Sequence, residues 1–189
     1  MQIDLELSAK MTSVVIDQRY GTQLLTEHLI GLGHHQIAAI SGPLSWYGAQ
    51  ARHTSWQHTM RAAGLEPGSS AEGDWTPRSG YEAAHALLDD GTQFTALVVA
   101  NDQMALGAMA ALRERGLSVP EDVSIVGFDD IPEAAYFAPP LTTVRQNFAA
   151  LGEQSVEYLM ALIENPGTPV HQRVLYPQFV ERQSTQPPK

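Results

Sequence analysis

Residues 96–109 read ALVVANDQMALGAM, and this stretch decides the fold class. Its first five residues form the clearest strand of the sequence, because a short apolar run rich in valine is typical of a strand covered on both faces. Asn101 follows at the carboxyl end of the strand, and a helix is predicted from Asp102 to Arg115, ending at Gly116. A buried strand that leads directly into a helix is half of a βαβ unit, which joins parallel strands.

The same alternation of short apolar runs and helical segments continues on both sides of this stretch. Further strands are predicted at 13–16, 37–40 and 123–128. Further helices are predicted at 21–32, 52–63 and 79–88, the last with Ser79 as its capping residue. The sequence therefore predicts an α/β fold whose parallel sheet is flanked by helices.

Beyond residue 130 this alternation breaks down, because several prolines interrupt it. Residues 142–144 are predicted to form a lone strand, and a last helix is predicted at about 149–163. Residues 170–180 are expected to be extended. The polar tail, residues 183–189, is expected to fray.

The composition indicates a globular chain and excludes several classes of protein. The formal net charge is −10 over 189 residues, and so acidic a chain is expected to repel phosphate backbones rather than bind nucleic acid by itself. Cys is absent, which excludes disulfides, thiolate metal sites and Cys nucleophiles. The sequence shows no secretory signal and no run of 18 apolar residues, so we expect a cytoplasmic protein without a membrane partner.

Polar side chains follow two of the predicted strands at the points where these strands end. Asn101 and the pair Asp129–Asp130 occupy such positions. Ligands of open parallel sheets bind in the crevice outside the carboxyl ends of the strands, so a small-molecule site is expected there. Planar donors and acceptors suit a ligand rich in hydroxyl groups, and Trp75 and Phe148 are aromatic residues available to cover a sugar ring.

The motifs of common enzymes and cofactor sites are missing from the sequence. Neither a Gly-rich phosphate loop nor a GxSxG nucleophile motif occurs. His34 and His35 are adjacent, which is not the spacing of a zinc pair on a helix, and they are expected to be structural. Asp74 and Asp129 stay open as a carboxylate pair of a hydrolase, although nothing in their spacing favours this alternative. We expect no enzymatic activity, no metal and no cofactor.

Several runs of residues occur together in a characteristic order. The longest are VVANDQMALGAM at 98–109, VSIVGFDD at 123–130 and PPLTTV at 139–144, and shorter ones are EHL at 27–29, GHHQIA at 33–38, SGP at 41–43 and GDW at 73–75. These motifs cover about residues 13–180, and together they resemble the effector domain of the LacI/GalR family of transcription regulators. The resemblance implies a type I periplasmic-binding-protein-like core of two subdomains. It further implies that a sugar effector binds between the two subdomains, with galactosides as the leading class. Binding of this effector would control DNA binding by a repressor.

The resemblance also implies which residues meet the sugar. Arg52 has the position of the family's sugar-clamping arginine, and Asn101 and Asp129 match its strand-end hydrogen-bonding residues. The remaining matches are one polar residue of the later crossover, two aromatic walls and one acidic residue of the first crossover: Gln146, Trp75, Phe148 and Asp4. Ile16 departs from the family pattern, which has an aromatic wall at this position. This departure bears on which sugar is bound.

An expected domain organisation follows from the same resemblance. Residues 1–12 correspond to a crossover segment, 13–147 to the C-terminal effector-binding subdomain, 148–180 to a remnant of the N-terminal subdomain, and 181–189 to a C-terminal tail. The family's DNA-binding headpiece and most of its N-terminal subdomain have no counterpart in this sequence. Operator DNA is therefore an expected partner only through such a headpiece.

The C-terminal part of the sequence also bears on how the chain assembles, and one alternative function stays open. The tail lacks the leucine heptads that form tetramers in the family that it resembles, so the resemblance implies at most a homodimer. The last predicted helix carries an apolar face, which predicts that the chain self-associates through this helix or leaves it poorly ordered: Val156, Leu159, Met160 and Ile163. A sugar-binding protein of a transport system has the same fold and is the alternative function, although the sequence shows no secretory signal.

Overall fold

The computed structural model describes residues 12–91, 93–165 and 171–189. The α-helices in these ranges are α1 (Gln18–Gly31), α2 (Tyr47–Ala62), α3 (Pro77–Asp89), α4 (Asp102–Glu114) and α5 (Phe148–Glu164). The strands are β1 (Ser13–Ile16), β2 (Ile37–Ser41), β3 (Ser70–Glu72), β4 (Ala96–Val99), β5 (Ser124–Val126), β6 (Thr143–Arg145), β7 (Gln172–Leu175) and β8 (Gln178–Val180). A short 3₁₀ helix covers Pro132–Tyr136. Within the described ranges, no helix is both long and apolar enough to cross a membrane.

The main layer is a four-stranded parallel sheet with the strand order β3-β2-β4-β5. Alternate residues of β2 point to opposite faces: Ala38 and Ile40 pack with α3 and α4, whereas Ile37 and Ala39 pack with α1 and α2. Because the two faces are covered by different helix pairs, β2, β4 and β5 are buried on both faces, whereas the edge strand β3 is largely exposed. The structure confirms the predicted α/β fold with a parallel sheet flanked by helices.

Two smaller sheets stand beside the main one. β1 pairs in parallel with β7, and β6 pairs antiparallel with β8. The sequence analysis grouped β1 with the main sheet, but β1 has β7 as its partner and α5 against it, where Ser155 and Tyr158 are buried. The chain therefore passes three times between the β1–β7 sheet and the rest of the fold: at residues 16–18, near 146–148 and at 175–178.

The helix starts differ from the prediction where the capping signal was weak or misplaced. α2 begins at Tyr47 rather than Arg52, and its N-cap residue Trp46 makes no side-chain capping bond, so the sequence carries no cap signal there. α3 is capped by Thr76 rather than Ser79: the Thr76 hydroxyl accepts a hydrogen bond from the Ser79 amide. β3 was not predicted, because an edge strand that reads SAE has no apolar run.

The C-terminal tail is packed rather than frayed, which corrects the prediction. Ser184 is fully buried, and its backbone and hydroxyl both bond to Ile125 of β5. The His34 ring bonds to the Thr95 hydroxyl at 2.8 Å and to the Gln186 carbonyl at 2.8 Å. His34 thus ties the tail to the sheet, which confirms its predicted structural role.

Candidate functional site

A cavity of about 800 Å³ opens at the carboxyl ends of β4 and β5, where the sequence predicts a ligand crevice. Its lining includes six of the seven predicted effector residues: Arg52, Trp75, Asn101, Asp129, Gln146 and Phe148. The seventh, Asp4, lies outside the described residues. The structure therefore brings together side chains from α2, from the loop between β3 and α3, from the segments that follow β4, β5 and β6, and from the start of α5.

Arg52 is the only basic residue among the described residues that line the cavity. It follows Gly48 and Ala49 by about one helical turn, which places all three on one face of α2. Its Nε donates to Gln18 Oε1 at 2.8 Å, and its Nη1 donates to the Ala100 carbonyl. The guanidinium also lies over the Phe128 ring, 3.7 Å from its centroid. Contacts on two edges and one face hold the guanidinium in a single orientation.

Asp129 is the acidic partner of Arg52 in the cavity. Its Oδ1 accepts a hydrogen bond from Gln146 Nε2 at 2.6 Å and lies 3.7 Å from Arg52 Nη2. Burial raises the pKa of the Asp129 carboxyl group, while the Arg52 charge and the Gln146 amide oppose that rise. Its Oδ2 makes no hydrogen bond to the residues that the structure describes, and the side chain is 24% exposed. This oxygen is therefore an open acceptor at the cavity surface.

Two neighbouring carboxylates brace the loop that carries Asp129. Asp130 pairs with Arg145 at 2.6 Å and with Arg182 at 2.5 Å. Burial by itself raises the pKa of Asp130, but the hydrogen bonds from Arg182 and Arg145 outweigh it and hold the pKa below its ordinary value. Asp102 is fully buried, and burial raises its pKa to about 7 although it accepts hydrogen bonds from the Thr143 hydroxyl and the Ile131 amide.

The Asn101 side chain is largely used by the protein itself. Its Oδ1 caps α4 by accepting a hydrogen bond from the Met104 amide at 2.9 Å. Its Nδ2 donates to the Trp75 carbonyl at 3.0 Å and to Gln103 Oε1 at 3.0 Å. Asn101 lies in the cavity wall as predicted, and its observed contacts make it a residue that positions α4 and Trp75.

Trp75 forms an aromatic wall in a strained backbone conformation. Its φ is 76°, which is rare for a bulky residue and is held by the bond from Asn101 to its carbonyl. Trp46 meets it edge to face, with ring centroids 6.3 Å apart. A Cβ at Gly42 would lie only 2.2 Å from the Trp75 ring, so only glycine leaves room for the indole.

We predict that Gly42→Ala displaces the Trp75 indole and weakens ligand binding about tenfold or more, because the wall loses its contact area. The measurement is the affinity for a bound ligand together with the emission spectrum of the tryptophans. Gly31→Ala is the matched control, since a Cβ at Gly31 meets no atom within 4 Å. Unchanged affinity and emission in Gly42→Ala would show that Trp75 does not depend on this space.

The sequence analysis missed several residues of the cavity lining, among them Gln18 and Trp46. Gln18 is the first residue of α1, directly after β1, so its place at a strand end was a usable signal. Trp46 was missed because the start of α2 was placed five residues too late. Among the described residues, no cluster of three or more His, Asp or Glu side chains is arranged to hold a metal ion.

Comparison with known proteins gives consistent similarities. The sequence model of the periplasmic binding protein-like domain family matches residues 26–185. The lactose operon repressor of Escherichia coli (strain K12) is 39% identical over 186 residues, which are 98% of this chain and 51% of that protein. The chain thus spans about half the length of the curated relatives that it matches.

Two solved structures are also similar to the chain. A dimeric lac repressor with a C-terminal deletion superposes with a TM-score of 0.94 at 39% identity, covering 98% of this chain and 68% of that one. A LacI family transcriptional regulator from Enterococcus faecium with bound ribose superposes with a TM-score of 0.86 at 29% identity, covering 99% and 70%. The similarity extends over the strands and helices that line the cavity.

Proposed function

Because the chain belongs to the periplasmic binding protein-like domain family and is an effector-binding domain of the LacI type, we propose that its cavity binds a neutral sugar, with galactosides as the leading class. The observation that carries the proposal is the pairing of Arg52 with Asp129, which are the only charged side chains among the described residues that line the cavity. Similarity to a lactose operon repressor and to a regulator with bound ribose supports a sugar as the ligand.

The charge of the cavity favours a neutral ligand over a phosphorylated one. Among the described lining residues, Arg52 is the one cation and Asp129 the one anion, and they lie 3.7 Å apart. A phosphate group requires an excess of positive charge or unpaired donors, and here the guanidinium is already neutralised. The open Oδ2 of Asp129 accepts a hydrogen bond from a hydroxyl group, whereas it repels a phosphate.

The apolar part of the cavity suits the C–H face of a sugar ring. Trp75 is half-buried, and Phe148 lies at the start of α5 with 58% of its surface exposed. Ile16 and Leu151 add apolar surface from β1 and α5. Aromatic rings beside a few polar groups match the usual composition of a small-molecule pocket, and here the Arg52 guanidinium lies 5.7 Å from the centroid of the Trp75 ring.

In the intact repressor, we propose that sugar binding controls the affinity for operator DNA. Such control requires that the sugar bind two arrangements of the protein with different affinity. DNA contact is assigned to a DNA-binding part outside residues 1–189, because this chain carries a formal charge of −10. The curated relatives are transcriptional repressors, which favours a cytoplasmic regulator without enzymatic activity over the transport alternative.

A thermal-shift panel tests this proposal. Galactosides, the matching glucosides, ribose and the corresponding sugar phosphates are added to the chain, since a ligand that binds only the folded state raises its melting temperature. A rise with one class of neutral sugar and none with its phosphate supports the proposal. A rise with the phosphorylated sugars alone would contradict the neutral-ligand assignment.

We further propose that the chain forms a homodimer. α5 has an exposed outer face, with Val156 63% and Ile163 64% accessible, and this is the face expected from the sequence to associate. A second exposed apolar region includes Leu106 of α4 and Tyr136 of the 3₁₀ helix. Either face offers a self-complementary contact about a two-fold axis.

Sedimentation of the chain and of two variants tests this assembly. If α5 forms the contact, Ile163→Glu yields a monomer while Tyr136→Glu stays dimeric, because a buried unpaired charge opposes association. If instead Tyr136→Glu is a monomer and Ile163→Glu stays dimeric, the dimer contact lies in the second apolar region, around Leu106 and Tyr136. A monomer at every concentration of the unmodified chain would contradict the homodimer.

A further inference from the structure

Four cavity side chains form a closed ring of polar contacts, and one of them, Gln18, belongs to no motif noted in the sequence. Arg52 Nε donates to Gln18 Oε1 at 2.8 Å, and Gln18 Nε2 donates to Gln146 Oε1 at 2.9 Å. Gln146 Nε2 then donates to Asp129 Oδ1 at 2.6 Å, and the ion pair between Asp129 and Arg52 closes the ring.

The two ends of this chain of hydrogen bonds fix its direction. A guanidinium only donates and an ionised carboxylate only accepts, so both intervening amides have one orientation that satisfies every bond. Reversal of either amide would place two acceptors or two donors against each other. Gln18 thereby determines that Gln146 presents its nitrogen, and not its oxygen, to Asp129.

The ring also connects separate parts of the fold. Gln18 begins α1 directly after β1, and Gln146 lies between β6 and α5. Both side chains are nearly inaccessible, at 9% and 8% exposure, so solvent offers them little alternative bonding. Their hydrogen bond therefore joins two of the three passages of the chain between the β1–β7 sheet and the rest of the fold.

We propose that Gln18 is a positioning residue for the effector: it holds Arg52 and Gln146 in the orientation that selects the arrangement of sugar hydroxyls. This inference rests on the sugar-binding function proposed above. Gln18 acts through its two partners, which leaves the Asp129 Oδ2 atom and the Arg52 guanidinium aimed at fixed points of the cavity. Selectivity between sugars that differ in one hydroxyl depends on such fixed points.

The variant Gln18→Met tests this role, because methionine keeps the length of the side chain and makes neither amide hydrogen bond. We expect the affinity for the preferred sugar to fall about tenfold, and the ratio of affinities for a galactoside and its C4 epimer to move towards one. Gln23→Met is the matched control: Gln23 is an exposed residue of the same helix, bonded to Glu27 at 2.8 Å and not part of the cavity lining.

A double-mutant cycle with Gln146→Met separates positioning from a merely structural role. If Gln18 acts through Gln146, the double variant loses little more affinity than the weaker-binding single variant. The proposal is overturned if Gln18→Met lowers the melting temperature but leaves the ratio of affinities for the galactoside and its C4 epimer unchanged, and if the losses of affinity in Gln18→Met and Gln146→Met simply add in the double variant. If the unmodified chain binds no sugar in the panel, the sugar-binding proposal itself fails. If the unmodified chain binds a sugar and Gln18→Met binds it equally well, only the role of Gln18 is overturned.

Discussion

Arg52→Ala is expected to reduce the affinity for the sugar effector by about 2–4 kcal/mol, which is the largest loss that we expect from any single substitution in the cavity. The change removes the donor to Gln18, the donor to the Ala100 carbonyl and the cation beside Asp129. It also leaves the partly buried Asp129 carboxylate without its counter-charge, so this carboxylate is no longer held where it accepts a hydrogen bond from the ligand. Calorimetric titration of the variant with the sugar that the unmodified chain binds measures the effect.

Arg52→Lys is the control that separates charge from geometry. Lysine keeps a positive charge near Asp129, but it lacks the planar fork that bonds Gln18 and Ala100 together. We expect it to recover only part of the lost affinity. Retention of both fold and affinity in Arg52→Ala would show that Arg52 is not a ligand residue.

Asp129→Asn is expected to reduce the affinity about 10- to 100-fold while the melting temperature stays equal or rises. Because burial raises the pKa of Asp129, its contribution to stability is full below the unfolded pKa and is lost as the pH rises through the folded pKa. At neutral pH the ionised carboxyl group therefore stabilises the empty fold little, and an uncharged amide relieves its desolvation. The ligand, in contrast, loses a charged acceptor for its hydroxyl group.

The neighbouring Asp130→Asn variant is the matched control and is expected to behave in the opposite way. The pKa of Asp130 is held low, so its ionised form adds stability above its unfolded pKa, and the amide weakens the contacts to Arg145 and Arg182. Urea unfolding at neutral pH distinguishes the two. A large loss of stability in Asp129→Asn would instead identify Asp129 as a structural residue of the loop.

The sequence predicts the parallel sheet because its strands are buried on both faces. In β2 and β4 every residue is buried, so the apolar runs are unbroken and easily recognised. β3 carries no such run, since it lies at the edge of the sheet with largely exposed side chains. The pairing of β1 with β7 joins residues more than 150 positions apart, and nothing in a short window of sequence records such a partner.

The candidate site is predictable as a location but not as a network. Residues at the ends of parallel strands, such as Asn101 and Asp129, are found by topology alone. The contacts that define their roles come from tertiary packing: Asn101 caps α4 and holds Trp75, and Gln18 reaches Arg52 from another helix. The packed tail was mispredicted for the same reason, because Ser184 is polar by composition and buried by its position against β5.

Sugar binding is tested most directly by a titration of the chain with a galactoside, followed by tryptophan fluorescence, with Trp75→Phe as the control. We predict a saturable change with one site per chain that is lost or strongly reduced in Trp75→Phe, because Trp75 lines the cavity. We also predict that Arg52→Ala shifts the midpoint of the titration to a higher sugar concentration. The absence of a saturable response to galactosides, glucosides and ribose in the unmodified chain would contradict the sugar-binding function.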